Sequence, residues 1–281
     1  MQNSKLLFSI IIPTLNEEKF LPRLLNCLKK QKEKDFEIII VDGGSTDNTI
    51  KKAKEYTQFF QKLKILTTNF KNVAKQRNLG AQKAKGDFLV FIDADSKISP
   101  TFLSRTKKAL LKKPGLIFLP KILPDIKTPD ISLLFEIAYV LIEASQLTPK
   151  PFSSGGHLIV RREIFNILGG FDENVIMSED HELIQRARKY GIIAKMLPEA
   201  KFIISLRRMQ KEGRLKFFLK YLYTAAQTLI SGKVEKSIFE YEMGGHLYKK
   251  QRGQKNGLEK LINNNFKKLK ILIQKTLKTL S

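Results

Sequence analysis

The stretch FEIIIVDGGSTDNT, residues 36–49, decides the fold class of this chain. Its apolar run shows no alternation of polar and apolar residues, which is typical of a strand buried on both faces of a parallel sheet. The run ends at Asp42, and a glycine turn then leads into a segment with helical periodicity. A buried strand followed by a helix predicts a β-α-β unit of an α/β fold.

Strands and helices alternate on both sides of this stretch as well. Besides the strand at 36–42, the spacing predicts strands at 8–13, 64–67 and 88–93 and helices at 17–30, 48–56 and 73–84. Polar side chains follow the strands, namely Thr14, Asn16, Asp42, Asp93 and Asp95. Because ligands of open α/β sheets bind at the carboxyl ends of the strands, these side chains are expected to line one crevice.

The middle of the chain is less regular. Residues 131–144 are apolar almost all round, which leaves open a core helix or a helix lying on a membrane surface. Residues 153–190 predict a glycine turn, a short strand, a helix at 162–168 and a helix that starts near Ser178.

Composition excludes several classes of protein. The chain of 281 residues has one cysteine, Cys27, so an internal disulfide and a cysteine-rich metal site are ruled out. No apolar run predicts a transmembrane helix, and no cleavable apolar segment follows Met1, so secretion is not expected. Neither a Gly-x-Gly-x-x-Gly after the first strand nor a P-loop is present, which argues against dinucleotide-dependent oxidoreductases and P-loop NTPases.

The chain is strongly basic. It has 51 Lys and Arg against 27 Asp and Glu, a net charge of +24, and 40 of the basic residues are lysines. Residues 205–281 hold 18 of the basic residues and 5 of the acidic ones. Apolar stripes within 215–230 and 258–273 predict two basic amphipathic helices in this segment. Anionic lipid, nucleic acid and phosphorylated substrates are the candidate partners, with a general lysine bias as the alternative.

Two acidic motifs follow strands in the first half of the chain. In Asp93-Ala94-Asp95, two carboxylates lie on the same side of an extended segment, and such oxygens suit a Mg²⁺ or Mn²⁺ ion that bridges a diphosphate. A turn or a helix cap is the alternative for this motif. Asp42 ends its strand where a carboxylate can accept a hydrogen bond from a nucleotide base, and the alternative is that it forms the turn.

The second half carries an acidic motif of its own, Ser178-Glu179-Asp180. A positioned carboxylate can remove the proton of an attacking hydroxyl, whereas a helix-capping sequence with an acidic first turn is the alternative. The next residue, His181, completes a metal site or serves in packing. Gly155-Gly156-His157 predicts close approach of the backbone to another group, with a plain turn as the alternative.

Taken in order, six segments resemble glycosyltransferase family 2. They are SIIIPTLNEE at 9–18, VDGGSTDNT at 41–49, AKQRNLG at 74–80, GDFLVFIDADS at 86–96, GGFDE at 169–173 and SED at 178–180. The resemblance covers about residues 5–204. It implies the GT-A fold, an α/β architecture whose mixed, mostly parallel sheet is flanked by helices, and an inverting transfer from a nucleotide sugar.

The resemblance also implies roles for single residues on the donor side. The nucleoside would be contacted by Pro13, Thr14 and Glu17, with Asn16 supporting the loop. The base would be bound by Asp42, the ribose by Asp93, and the diphosphate or sugar by Arg77. Asp93 and Asp95 would hold Mn²⁺ or Mg²⁺, with Asp95 as the principal ligand and His181 as a weaker one. For Arg77, an ordinary place on a helix surface is the alternative.

On the acceptor side, the resemblance makes Asp180 the general base. Glu179 would support it or contact the acceptor, and the acceptor would approach Gly155, Gly156 and His157. A hydroxyl acceptor is favoured over a phosphate, because an anionic phosphate needs no base.

These expectations divide the chain into a catalytic domain at 1–204 and a basic segment at 205–281. The nucleotide-sugar half of the domain is expected at 1–97 and the acceptor half at 98–204. The expected function is transfer of a sugar from a UDP-type or GDP-type donor to a lipid-linked or membrane-held glycan of the cell envelope. The basic segment fits peripheral binding to anionic lipid, on the cytoplasmic face of the membrane.

Two alternative functions stay open. A polyprenyl-phosphate glycosyltransferase would use the same donor side with a phosphate acceptor. A nucleic-acid-binding protein is suggested by the charge alone, and because the chain has no recognised binding motif, no nucleic acid partner is expected.

Overall fold

The computed structural model describes residues 7–207 and 209, except 154, 176 and 177. In this part of the chain the strands are β1 (Phe8–Thr14), β2 (Phe36–Asp42), β3 (Leu63–Thr67), β4 (Phe88–Phe91), β5 (Lys97–Ile98), β6 (Ile117–Pro124), β7 (Leu158–Arg161) and β8 (Lys195–Ile204). The α-helices are α1 (Leu21–Lys29), α2 (Thr49–Lys54), α3 (Val73–Gln82), α4 (Phe102–Lys112), α5 (Pro129–Ser145), α6 (Arg162–Ile167) and α7 (Glu179–Lys189). A short 3₁₀ helix lies at Thr57–Phe59.

All of these strands join one sheet, in the order β3-β2-β1-β4-β7-β6-β8-β5. β1 runs parallel to β2 and β4, and β2 runs parallel to β3. β7 is antiparallel to its neighbours β4 and β6, while β8 is parallel to β6 and antiparallel to β5. The mixed, mostly parallel sheet with flanking helices is therefore confirmed.

Apolar side chains cover both faces of this sheet. Every residue of β1 and of β2 is buried. Successive strand residues point to opposite faces, so Ile10 and Ile38 pack in one core while Ile11 and Ile39 pack in the other. Full burial of each such side chain stabilises the fold by roughly 1.5–3 kcal/mol. Two cores explain why the apolar run of β2 does not alternate.

Two predicted element boundaries are wrong, and turns are the reason. α1 begins at Leu21 rather than Glu17, because residues 17–20 form a turn in which the Phe20 N–H donates to the Glu17 carbonyl at 3.0 Å. β4 ends at Phe91 rather than Asp93, because the chain turns over residues 93–96, where the Ser96 N–H donates to the Asp93 carbonyl.

The apolar helix predicted at 131–144 is α5, and it is not a core helix. Within Pro129–Ser145 only Ile131 and Ser145 are buried. No helix of the described residues is long and apolar enough to cross a membrane. The stripes predicted within 215–230 and 258–273 lie outside the described residues.

Candidate active site

The strand ends of the first half meet at one edge of the sheet. Thr14 ends β1 directly beside Asp42 at the end of β2, and Thr14 Oγ1 donates a hydrogen bond to Asp42 Oδ1 at 3.0 Å. Pro13, Thr14 and Asp42 are all buried there. Thr14 and Asp42, two of the side chains predicted to share one crevice, thus meet in the structure.

Asp42 forms the turn that follows its strand. Its Oδ2 accepts from the N–H groups of Gly44 at 3.1 Å and Ser45 at 2.8 Å, and its Oδ1 accepts from Ser45 Oγ at 2.5 Å. The turn is held to the first loop by Asn16, whose Oδ1 accepts from the Thr46 N–H at 2.8 Å. Asn16 has a φ of 54°, in the left-handed region that asparagine tolerates better than most residues. Turn formation is therefore the observed role of Asp42, and base binding stays a prediction.

Sequence reasoning missed one residue of this edge, Arg207. Its guanidinium forms a bidentate ion pair with the Glu17 carboxylate, at 2.7 and 3.0 Å, and its Nε lies 3.3 Å from Asp95 Oδ2. The guanidinium carbon lies 4.2 Å from the centre of the Phe20 ring. Arg207 comes shortly after the end of β8, so the rule that polar residues after strands line the crevice also applies to it.

The carboxylates around Arg207 carry more negative charge than it neutralises. Burial raises the pKa of Glu17, although the ion pair with Arg207 opposes the rise. Burial also raises the pKa of Asp95 to about 6, opposed by Arg207 and reinforced by the charges of Asp93 and Glu17. This part of the site therefore favours an additional cation.

The Asp93-Ala94-Asp95 motif is not extended, which corrects the geometry expected from the sequence. The Ser96 N–H donates to the Asp93 carbonyl at 3.0 Å and closes a turn. As a result the two carboxylates meet different arginines, Asp93 pairing with Arg77 and Asp95 with Arg207.

Arg77 is a buried arginine of α3 and not a helix-surface one. Only 2% of its surface is exposed. Its Nη2 donates to Asp93 Oδ1 at 2.6 Å, and its Nη1 donates to Glu179 Oε1. Burial alone would lower the pKa of Arg77, but Asp93 and Glu179 outweigh it and raise the pKa. Arg77 therefore stays charged and links the donor-side carboxylate to the acceptor-side motif.

Asp180 lies in the first turn of α7, with both carboxylate oxygens held. Its Oδ2 accepts from the N–H groups of Gly155 and Gly156, each at 3.0 Å, and its Oδ1 lies 3.2 Å from His181 Nδ1. Burial would raise the pKa of Asp180, yet His181 and the hydrogen bonds hold it well below its ordinary value. Asp180 is therefore ionised at neutral pH.

The helix-capping alternative for Ser178-Glu179-Asp180 is correct only in part. The first turn of α7 is acidic, as expected. The Ser178 side chain, however, makes no capping hydrogen bond, and its φ of 68° is left-handed. Among the described non-glycine residues only Asn16 and Ser178 have positive φ. Such strain tends to occur at functional sites, and here it lies in one loop on each side of the crevice.

Gly156 fits closely against Arg77. A Cβ atom at Gly156 would lie 2.6 Å from Arg77 Nη2. The neighbouring His157 is buried, with its Nε2 2.7 Å from Ser96 Oγ and its Nδ1 2.8 Å from the Gly155 carbonyl. Both ring nitrogens thus have partners in the protein, which favours a role of His157 in holding the loop over direct contact with an acceptor.

The acidic residues fit a divalent cation as a partial ligand set. The donors available are carboxylate oxygens, which Mg²⁺ and Mn²⁺ prefer, and the charges of Asp93 and Glu17 add to the rise in the pKa of Asp95 that burial causes. No three His, Cys, Asp or Glu side chains of the described residues are grouped to hold a metal ion. His181 instead lies against Asp180 and the ring of Phe152. Asp93 and Asp95 as metal ligands therefore stay a prediction, in which diphosphate oxygens and water would have to complete the set.

Comparison with known sequences gives a family match for this chain. The sequence model described as "Glycosyl transferase family 2" matches residues 9–169, more than half of the chain. The chain belongs to glycosyl transferase family 2.

A relative of this family 2 chain is the poly(ribitol-phosphate) beta-N-acetylglucosaminyltransferase TarS of Staphylococcus aureus, 39% identical over 95 residues. That match covers 33% of this chain and 17% of TarS, so the chain spans about a sixth of that relative's length. The crystal structure of S. aureus TarS 1–349 with UDP is similar at a TM-score of 0.59 and 21% identity, covering 80% of this chain and 73% of that one.

A mannosyltransferase of Pyrobaculum calidifontis, solved with GDP-Man and Mn²⁺, gives a TM-score of 0.58 at 22% identity. It covers 70% of this chain and 56% of that one. These structures confirm the GT-A fold. The family match at residues 9–169 includes the donor-side motifs and part of the acceptor half, but it ends before Glu179, Asp180 and Arg207, which the structure brings to the site.

Proposed function

We propose that this chain is an inverting glycosyltransferase that moves a sugar from a nucleoside diphosphate sugar to a hydroxyl acceptor. One observation carries the proposal: Arg77 joins Asp93 on the donor side to Glu179, which directly precedes Asp180. A transferase needs donor and acceptor groups held at a fixed distance, since positioning supplies much of the rate. The family and the nucleotide-sugar ligands of the similar structures support the donor class.

On the donor side, the nucleoside would lie by Pro13, Thr14 and Asp42, and the diphosphate by Asp93 and Asp95. A divalent cation held there, Mn²⁺ or Mg²⁺, would neutralise the charge that develops on the leaving diphosphate. Arg207 adds a fixed positive charge beside Asp95. The donor nucleotide is of UDP or GDP type.

On the acceptor side, Asp180 takes the proton of the attacking hydroxyl. Its Oδ2 is held by the N–H groups of Gly155 and Gly156, so Oδ1 is the oxygen we assign to the proton. Glu179 keeps Arg77 in place, and His181 orients the Asp180 carboxylate. A dedicated base favours a hydroxyl acceptor over a polyprenyl phosphate.

The acceptor we propose is a lipid-linked or membrane-held glycan of the cell envelope, reached from the cytoplasmic face of the membrane. The support is the excess of lysine in residues 205–281, which suits peripheral binding to anionic lipid. We accordingly propose a catalytic domain at 1–204, divided near residue 97 into donor and acceptor halves, with 205–281 as its membrane-associating segment apart from Leu206, Arg207 and Met209, which contact the catalytic domain.

A panel of UDP-sugars and GDP-sugars, each with Mn²⁺ or Mg²⁺, tests the proposal by calorimetry and by slow donor hydrolysis. We expect one sugar nucleotide to bind in a cation-dependent way and to be hydrolysed. The matched control is Asp95→Ala, which should lose the cation-dependent part of binding. Failure of every donor, together with tight and steeply salt-dependent binding of DNA or RNA, would contradict the proposal.

A further inference from the structure

Helix α5 has apolar side chains on two faces. On its outward face Ile137, Val140 and Leu141 are 36%, 59% and 61% exposed. They are spaced three and four positions apart and therefore share one side of the helix. A surface helix normally presents polar residues outward, and a helix that is apolar all round is normally buried. The outward face of α5 thus exposes three large apolar side chains beside the exposed Glu136 and Glu143.

The described part of the chain ends beside this helix. Leu206 and Met209 are buried together with Ile131 in the first turn of α5, and Phe135 packs on the same cluster. Residues after Met209 therefore start next to α5.

The next predicted amphipathic stretch can reach the outward face. Leu215 lies six residues after Met209, a distance of up to about 20 Å when extended, whereas Ile131 and Leu141 are about 15 Å apart along the helix axis. As a helix, Leu215–Ile230 would be about 24 Å long, close to the length of α5. Its apolar stripe can therefore cover Ile137, Val140 and Leu141.

Charge favours this segment over anionic lipid as the occupant. α5 contains Asp130, Glu136 and Glu143 and neither Lys nor Arg, whereas residues 215–230 have Lys216 and Lys220 and no acidic residue. Burial and neighbouring carboxylates led by Glu143 raise the pKa of Tyr139 on α5 to about 12. Helices that lie on anionic membranes carry Lys and Arg along their polar side. α5 has the opposite charge.

We propose that the outward face of α5, formed by Ile137, Val140 and Leu141, is the docking surface for residues Leu215–Ile230 of the same chain. The inference does not depend on the proposed transfer reaction. It leaves the second stripe, within 258–273, as the part of the basic segment available to lipid.

Docking at α5 would also support the loop that contains Phe152, Gly155 and Gly156. Ser145 Oγ accepts from the Phe152 N–H at 2.9 Å, and Gln146 Nε2 donates to the Phe152 carbonyl at 2.7 Å. The Phe152 ring packs edge-on against His181, next to Asp180. A segment held on α5 therefore stabilises the helix from which this loop extends.

Photo-cross-linking in the full chain tests the docking. The photoreactive residue p-benzoylphenylalanine replaces Val140, and the products are mapped by mass spectrometry with and without vesicles of phosphatidylglycerol and phosphatidylethanolamine. We expect cross-links within one monomer to peptides of 215–230, in both conditions. The matched control carries the photoreactive residue in place of Leu111, which is 81% exposed on α4, and it should give no cross-link to these peptides.

Three outcomes would overturn the inference. These are cross-links from position 140 to a second copy, cross-links to lipid, and no cross-link to 215–230 in either condition.

A second measurement does not depend on the probe. Leu141→Glu should expose the stretch and speed tryptic cleavage after Lys216 and Lys220 by about tenfold, because cleavage follows the population of the open form. The control Leu111→Glu should leave the cleavage rate unchanged. Equal cleavage in Leu141→Glu and the unmodified chain would count against docking.

Discussion

The two oxygens of Asp180 have different surroundings. Two backbone N–H groups hold Oδ2, and His181 faces Oδ1. These contacts lower the pKa of the carboxylate despite its burial, which keeps it ionised but makes it a weak base. Proton transfer to Asp180 must therefore depend on close positioning of the acceptor hydroxyl rather than on basicity.

Asp180→Asn preserves the shape of the side chain and removes the base. We expect sugar transfer to fall by about 10²–10⁴, the usual contribution of a general base, with donor affinity unchanged. Single-turnover transfer and donor calorimetry measure the two effects. Glu182→Gln, in the same turn but bonded to Arg186, is the control and should stay active. Full turnover in Asp180→Asn would remove the base assignment.

Arg77 has a structural role at the same site. Arg77→Gln leaves Glu179 buried without its cationic partner, so we expect the free energy of unfolding to fall by about 3 kcal/mol. Urea denaturation measures the change. The control is Arg105→Gln, at an exposed position of α4, which should alter the free energy of unfolding by no more than about 0.5 kcal/mol. Equal stability of the two variants would mean that the Arg77 ion pairs do not hold the site together.

Among the elements, the turn at Gly155 and Gly156 and the first turn of α7 form one unit. The turn gives two N–H groups to Asp180, and the absence of a side chain at Gly156 lets Arg77 approach. Neither contact follows from local sequence pattern, because a double glycine before a strand reads equally well as a plain turn.

Two glycine variants separate close packing from backbone strain. Gly155 and Gly156 both have positive φ, at 83° and 72°, so Ala at either position should cost about 1–3 kcal/mol of strain. Only at Gly156 would the new Cβ meet Arg77, because no atom of the described residues lies within 4 Å of a Cβ at Gly155. We therefore expect Gly156→Ala to lower thermal stability and transfer activity more than Gly155→Ala. Equal losses would show that the Arg77 contact is unimportant.

Elements were predictable where local pattern governs them. β2 spans the predicted residues, because a short β-branched run that ends at a glycine turn favours a buried strand. The start of α1 and the shape of Asp93-Ala94-Asp95 were not predictable, because hydrogen bonds within turns at 17–20 and 93–96 override the local preference.

At the scale of the whole molecule, more than half of the net charge, +13 of +24, falls in residues 205–281 of the sequence. Removal of residues 210–281 is the truncation to make, because Leu206, Arg207 and Met209 have contacts in the described structure. We expect the truncated chain to lose sedimentation with phosphatidylglycerol vesicles, and the full chain to bind them less at high salt.

Phosphatidylcholine vesicles are the control for that experiment, since neither form should bind them if charge drives attachment. Unchanged binding of the truncated chain to anionic vesicles would leave only a general lysine bias as the explanation of the charge.

The sequence by itself determined the α/β class, the family and the donor-side carboxylates, because periodicity and strand ends are local properties of a chain. Tertiary structure alone decided that Arg77 is buried between Asp93 and Glu179, that Arg207 reaches Glu17, and that α5 lies at the surface. Arg207 and Glu17 are 190 positions apart, and Arg77 and Glu179 are 102 apart. Contacts at such separations depend on how the sheet orders its strands, which no local pattern records.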